Sequence, residues 1–232
     1  MAMINEIRGL AEYEAKAVTS SPRDWMKYLD TAAKLYRYSF PDTLLIHAQR
    51  PDATACASLE LWNEKMNRWV NRGAKGIALI DDTGPRRRLR YVFDISDTHM
   101  VRGGRTPNLW RIEDAQKEAV LDHLADAYGL AEGDTADLNF ALSAIAYQLT
   151  GENLEEAMDG LLYETEGTFL EGLDEDTIRV EFRRLLMDSA FYTLAVRCGL
   201  DPMEYLEEED FSGITDYNAL PVLTFLGNAI SQ

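Results

Sequence analysis

The chain has 232 residues, 46% of them hydrophobic, which is enough to build one large domain or two small ones around a core. Its two cysteines, Cys56 and Cys198, stand 142 positions apart, and this spacing fits neither a disulfide framework nor a zinc knuckle. No apolar run reaches 18 residues, and the polar, acidic start lacks the apolar segment of a secretory signal. We therefore expect a cytoplasmic protein without a membrane span.

The formal net charge of −17 hides a division between two parts of the chain. Residues 1–112 contain 18 Lys and Arg against 13 Asp and Glu, a balance of +5. Residues 113–232 contain 5 against 27, a balance of −22. Because such asymmetry indicates surfaces with different partners, each part is interpreted by itself.

The first part begins with predicted helices. The stretch "SSPRDWMKYLDTAAKLYRYS" has Ser21 as a cap, Pro22 in the first turn and Asp24 at the capping-box position. A short helix, "PDTLLIHAQ", follows from Pro41, and a third, "SLELWNEKMNRW", is expected to start at Ser58.

A change of pattern after Gly76 predicts two antiparallel strands. "GIALID" is short and apolar, "RLRYVFDIS" alternates, and "DTGPR" between them is typical of a turn. We expect residues 77–95 to form a hairpin with one buried face. The residues predicted for that face are Leu89, Tyr91, Phe93 and Ile95. The residues predicted for the opposite face are Arg88, Arg90, Val92 and Asp94.

The glycine-rich loop "RGGRTPN" (102–108) predicts a domain boundary, and beyond it the pattern is helical. One predicted helix ends at Gly129, and the next runs from an Asp134 cap to Gly151. The longest ends at Gly199, and the last is expected to bend or break at Pro221.

These patterns together predict an α+β fold with two parts. Residues 1–110 are expected to form a small basic module of helices and an antiparallel hairpin. Residues 111–232 are expected to form an acidic, all-α domain.

The sequence contains no recognisable catalytic or metal-binding motif. The three histidines stand alone, no H-E-x-x-H pair occurs, and neither cysteine lies in a nucleophile motif. "RGAKG" is not a Walker loop, and "LDEDTIRVEF" lacks the central glycine and the fifth-position oxygen ligand of a calcium loop. We therefore predict a non-catalytic protein without a cofactor or a metal.

Residues 34–111 combine cations with aromatic rings, holding 14 Lys and Arg against 8 Asp and Glu. Single-stranded nucleic acid binds where cations follow the phosphates and rings stack on unpaired bases. The cations that could form such a stripe along the hairpin are Arg68, Arg72, Lys75, Arg86, Arg87, Arg88 and Arg90. Plainer interpretations stay open, since aromatic residues at regular spacing are more often core residues. An arginine run after a turn can also be a solvated hairpin tip or a protected edge strand.

Residues 36–81 resemble the N-terminal module of ArdC-type antirestriction proteins. Those proteins share a YS-x-x-N-x-x-L-I-x-x-Q core, a later Trp and a V-x-K-G-x-K-G-I stretch before a strand. The residues that fall on these positions are Tyr38, Ser39, Gln49, Trp62, Arg68, Val70, Gly73, Lys75 and Gly76. Asp42 stands where the family usually has Asn, and Arg72 and Ala74 vary the lysine-rich stretch.

The chain is more closely similar to a branch of this family in Firmicutes. There the module lies at the start of large mobile-element proteins with helicase or methylase-like regions downstream. This wider resemblance covers roughly residues 20–231 and suggests that the chain is part of a longer protein.

The resemblance implies sequence-independent binding of single-stranded DNA in an antirestriction or conjugation setting. The zinc metallopeptidase domain that follows the module in ArdC has no counterpart here, since H-E-x-x-H is absent. The residues assigned to nucleic acid, from the resemblance and from the basic pattern together, are Tyr36, Tyr38, Ser39, Gln49, Trp62, Arg68, Trp69, Arg72, Lys75, Arg86, Arg87, Arg88 and Arg90.

The acidic part permits two interpretations. It is a helical domain that keeps itself soluble or packs on neighbouring domains, or it is a surface that mimics DNA and binds a basic DNA-processing protein. Three hypotheses follow: a single-stranded DNA-binding module, an acidic inhibitor of a restriction, CRISPR or other DNA-processing enzyme, and a structural interaction domain. Salt-dependent binding to oligonucleotides separates the first from the other two.

Overall fold

The structure is a computed structural model that describes residues 3–231, apart from the side chains of residues 152 and 153. It has an α+β fold, as the sequence predicts. The helices are α1 (Ile4–Val18), α2 (Pro22–Lys34), α3 (Phe40–Gln49), α4 (Lys117–Tyr128), α5 (Leu138–Leu162), α6 (Glu175–Cys198) and α7 (Leu220–Ser231). The strands are β1 (Cys56–Ala57), β2 (Arg68–Val70), β3 (Ile77–Asp81), β4 (Arg88–Asp94) and β5 (Thr98–Met100).

Local signals in the sequence correctly place several helix ends. The Ser21 hydroxyl accepts a hydrogen bond from the backbone N–H of Asp24 at the start of α2. Gly129 and Gly199, with φ of 63° and 78°, follow the last residues of α4 and α6. Both adopt the left-handed conformation that favours glycine at a helix C-terminus.

Tertiary packing overrides the local signals in two of the predicted helices. The predicted helix from Ser58 gives way to strand β2, and only a π-helical turn is left at Leu61–Lys65. Helix α5 begins at an Asp137 cap rather than at Asp134 and continues through Gly151 to Leu162. A glycine inside a helix costs about 1 kcal/mol, which burial of the apolar residues after Gly151 offsets.

The strands form two antiparallel sheets. The first has the order β1-β4-β3, and the second pairs β2 with β5. The predicted hairpin over residues 77–95 is correct, with Ile77 opposite Val92 and Asp81 opposite Arg88.

The predicted buried face of that hairpin is wrong, because the face that carries Val92 and Asp94 is the more deeply buried one. Val92 and Asp94 are each 2% exposed, whereas Tyr91 is 40% exposed. Helices α1 and α3 cover the Val92 face and form a small core there with β3. Asp94 is tolerated because its carboxylate accepts hydrogen bonds from the backbone N–H groups of Thr54, Ala55 and Ser96.

The main hydrophobic core joins the two parts of the sequence. It contains Trp25 and Tyr28 of α2 and Phe40 of α3 together with buried residues of α5, α6 and α7. The indole N–H of Trp25 donates to the Ser189 hydroxyl of α6 at 2.9 Å. The predicted boundary near residue 110 is therefore a change in secondary structure and charge within a shared core.

Helices α3 and α7 approach each other closely in this core. Gly227 is buried, and a Cβ added there would overlap the aromatic ring of Phe40. Phe40 itself is 0% exposed, so its ring is enclosed by the closely packed core. Gly151 of α5 is exposed, and a Cβ there meets no atom within 4 Å.

We predict that Gly227→Ala destabilises the protein by about 1–3 kcal/mol, because an extra methyl group overpacks the core. The matched Gly151→Ala variant is expected to stabilise it by about 0.5–1 kcal/mol through helix propensity alone. Urea denaturation followed by circular dichroism measures both changes. Equal effects of the two substitutions would contradict the packing described for Phe40.

A buried carboxyl group in α6 carries a second stability effect. Asp188 is 8% exposed and has no hydrogen bond or ion pair within the described residues. Burial and the nearby charge of Asp210 raise its pKa to about 6, although Arg184 opposes the shift. Since the folded state binds this proton more tightly than the unfolded state, the ionised form costs stability above pH 6.

Asp188→Asn is expected to stabilise the protein by about 1–3 kcal/mol at pH 7.5, because it removes this charge. The gain should shrink as the pH falls from 6 toward 4 and vanish only below the unfolded-state pKa of 3.8, where Asp188 is protonated in both states. Free energies of unfolding measured across this range test the expectation. The control is Asp126→Asn on exposed α4, which should change stability by less than about 0.5 kcal/mol at each pH.

Candidate nucleic-acid interface

The pairing of β2 with β5 brings together two basic segments that lie far apart in the sequence. Arg68 pairs with Met100, Trp69 with His99 and Val70 with Thr98. We call residues 66–76 and 98–105 the basic ribbon. Its cations are Arg68, Arg72, Lys75, Arg102 and Arg105, and it contains no Asp or Glu.

Two unusual backbone features shape the ribbon. Asn67 has a φ of 49°, and its side-chain amide donates to the Arg102 carbonyl at 2.8 Å. Gly104 allows the chain to return, since a Cβ there would lie 2.6 Å from the Asn67 carbonyl oxygen. The backbone N–H of Arg105 then donates to the Met66 carbonyl at 2.8 Å. The two segments are thus held together by contacts that a larger residue at position 104 would break.

Trp69 lies on the face of the ribbon opposite to Arg68, because side chains alternate along a strand. Trp69 is 55% exposed and has exposed His99 as its cross-strand neighbour. Nδ1 of His99 lies 2.7 Å from Oδ1 of Asn71. Arg68 is half-buried, and its Nε donates to the Thr98 hydroxyl at 2.8 Å.

Cations flank Trp69 at both ends of the ribbon. Arg72 and Lys75 follow Val70 in the turn toward β3, while Arg102 and Arg105 follow Met100 at the other end. All four are exposed, and none forms an ion pair within the described residues. The ribbon therefore presents an exposed aromatic ring between two pairs of unneutralised cations.

The other predicted cations lie away from the ribbon. Arg86, Arg87 and Arg88 are at the exposed hairpin tip, where β3 and β4 are joined. The length of β3, about 13 Å, separates the tip from the turn that carries Lys75. The stripe predicted along the hairpin is thus divided into two separate groups.

Carboxylates pair with Arg88 of the tip and with Arg90 further along β4. Nε of Arg88 donates to Asp81 at 2.7 Å, and the guanidinium of Arg90 is bonded to Asp42. Burial raises the pKa of Asp42, while the charge of Arg90 opposes that shift. Asp42, which replaces the usual Asn of the ArdC-type pattern, therefore serves as the partner of a cation.

Three of the predicted aromatic and polar residues hold the fold together. Trp62 is 2% exposed, and its indole N–H donates to the Phe93 carbonyl at 2.8 Å. The Tyr38 hydroxyl donates to the Cys56 carbonyl at 2.8 Å. The Gln49 side-chain amide donates to the Ala78 carbonyl at 3.0 Å and accepts from the Ala78 N–H at 2.9 Å, so it satisfies both backbone groups of one residue on the edge strand β3. We leave these residues out of the interface.

Two further predicted residues lie elsewhere on the surface. Ser39 precedes α3 and is exposed. Tyr36 is 48% exposed, and the guanidinium carbon of Arg197 lies 3.5 Å from the centre of its ring. One face of Tyr36 is therefore already occupied.

The sequence interpretation missed Arg102, Arg105 and Met100 as parts of the same surface as Trp69. It took the segment 102–108 for a domain boundary because of its glycines and proline. The sequence did contain a signal for this surface, since no acidic residue occurs from position 98 to 111.

No group of three or more His, Cys, Asp or Glu side chains suited to a metal ion occurs among the described residues. Within the same part of the chain, every helix is too short or too polar to cross a membrane. Both cysteines are free.

Comparison with known proteins identifies no relative, since no family model, curated protein or solved structure matches the chain. The resemblance to ArdC-type proteins stays a prediction.

We predict that Gly104→Ala loosens the ribbon, because its Cβ would collide with the Asn67 carbonyl. Hydrogen exchange should show faster exchange of the amides of Val101 and Arg105, with the helices unchanged. Gly84→Ala at the hairpin tip is the control, since its Cβ approaches no atom closer than 3.9 Å. Unchanged exchange in Gly104→Ala would contradict the described geometry.

Proposed function

We propose that this chain is a non-catalytic module that binds single-stranded DNA without sequence preference, in the cytoplasm, as part of a mobile genetic element. The observation that carries the proposal is the arrangement of the basic ribbon, where exposed Trp69 lies between two pairs of unpaired cations. Stacking on an aromatic ring is tolerant of sequence because every base has a flat face, and cations on both sides suit the phosphates before and after that base.

The roles of the ribbon residues follow from their positions. Trp69 would stack on a base, while Arg72 and Lys75 would contact phosphates on one side of it. Arg102 and Arg105 would contact phosphates on the other side. Arg68 donates a hydrogen bond to Thr98 on the opposite face, so it would stabilise the ribbon without contacting DNA.

The proposal also explains how a chain with a charge of −17 could bind a polyanion. At physiological salt the Debye length is about 8 Å, so charges farther away are largely screened. The four exposed cations of the ribbon then act on a bound phosphate more strongly than charges beyond that distance.

We predict that the protein binds a labelled oligo(dT) of about 16 nucleotides at about 50 mM salt, with affinity that falls steeply toward 200 mM. Fluorescence anisotropy at several salt concentrations gives the slope of log K against log salt. Arg72→Ala/Lys75→Ala should reduce the magnitude of that slope by about 0.7 for each lost phosphate contact. Trp69→Ala should weaken binding by about 5- to 150-fold, in line with a stacking energy of 1–3 kcal/mol.

Matched controls separate the ribbon from general charge and exposure. Arg86→Ala/Arg87→Ala removes two exposed cations from the hairpin tip, and Tyr163→Ala removes a ring that is 88% exposed. Both should bind DNA as the unmodified protein does. The absence of binding at 50 mM salt would overturn the proposal, as would equal losses in the tip and ribbon variants. Absence of binding together with co-purification of a basic DNA-processing enzyme would favour the acidic-inhibitor hypothesis.

A further inference from the structure

A cleft separate from the basic ribbon lies where α2, α5, α6 and α7 meet. Its volume is about 390 Å³, which is within the range of small-molecule sites. The wall is formed largely by small and apolar side chains, among them Ala33, Ala146, Ala190, Leu194 and Ile230. The cleft is therefore wide enough for a ligand and apolar along most of its surface.

Three hydroxyl groups in the wall already donate their protons within the protein. Thr150 donates to the Ala146 carbonyl, Thr193 to that of Ala190 and Ser231 to that of Gly227. Each of these hydroxyls thus donates its proton to a backbone carbonyl of its own helix. These oxygens can still accept a hydrogen bond, but they have no proton to donate to a carboxylate.

Arg197 is the one charged residue among those that line the cleft within the described part of the chain. Its guanidinium carbon lies 3.5 Å from the centre of the Tyr36 ring, and that of Arg37 lies 5.7 Å from the same point. Neither arginine forms an ion pair or a side-chain hydrogen bond within the described residues. In a chain with 40 acidic residues, these two guanidiniums are left without a carboxylate partner.

We infer that this cleft binds a small amphipathic carboxylate, with its apolar body against the alanine-lined wall and its carboxylate on Arg197. A guanidinium presents parallel N–H donors that match a carboxylate in a bidentate arrangement. Stacking on Tyr36 holds the Arg197 side chain in place, so less rotamer entropy is lost on binding. The inference is independent of the basic ribbon and of DNA.

The test uses sodium decanoate, below its micelle concentration, as the probe in isothermal titration calorimetry with the full chain. We expect saturable one-to-one binding and a rise in melting temperature, since the ligand favours the folded state. Decanol and decyltrimethylammonium, which share the apolar body, should bind at least about tenfold more weakly because they cannot pair with Arg197. Equal binding of decanol and decanoate would overturn the inference.

Two variants locate the site. Arg197→Gln should weaken decanoate binding by about tenfold or more and leave decanol binding unchanged. Ala190→Leu fills the cleft and should abolish binding of both probes, with the melting temperature of the free protein checking that it folds. Arg183→Gln is the matched control, because Arg183 is also on α6 and stacks on Tyr147 at 4.9 Å outside the cleft. Loss of decanoate binding in Arg183→Gln, or retention in a folded Ala190→Leu, would contradict the assignment.

Discussion

The contact between Phe40 and Gly227 is the constraint on which the rest of the structure depends. It brings α7 against α3. In the same core, the hydrogen bond from the Trp25 indole to the Ser189 hydroxyl holds α2 against α6. The basic and acidic parts of the sequence therefore share one hydrophobic core. Their opposite charges are held in a fixed relation, so the acidic helices cannot separate from the rest without exposing that core.

The change in charge near residue 112 is therefore not a boundary in packing, because one core contains residues from both sides of it. Hydrophobic burial is non-directional and needs only matching surfaces, so α2 and α3 pack with helices far along the chain. Charge, in contrast, is distributed over the surface that remains. The sheet is attached to the main core through α1 and α3, and the smaller core beneath β3 and β4 positions the basic ribbon beyond it.

The sequence predicted features that depend on a few neighbouring residues. The Ser21 cap, the glycine stops at Gly129 and Gly199 and the 77–95 hairpin are all local, and they are correct. Strand β2 was missed because its partner β5 lies about 30 residues away, and the buried face of β4 was wrong because α1 and α3 decide it. In the interface, Trp69, Arg72 and Lys75 were predicted from the sequence. Their position beside Arg102 and Arg105 was not, because it depends on the long-range pairing of β2 with β5.

The distribution of ion pairs indicates which cations serve the fold. Arg50, Arg88 and Arg90 each bind a carboxylate that is mostly shielded from solvent, so their removal would leave a partly buried anion without its partner. The exposed cations of the ribbon have no such partner among the residues that the structure describes, and their replacement leaves no buried charge there. The proposed binding of single-stranded DNA would supply phosphates that neutralise these cations.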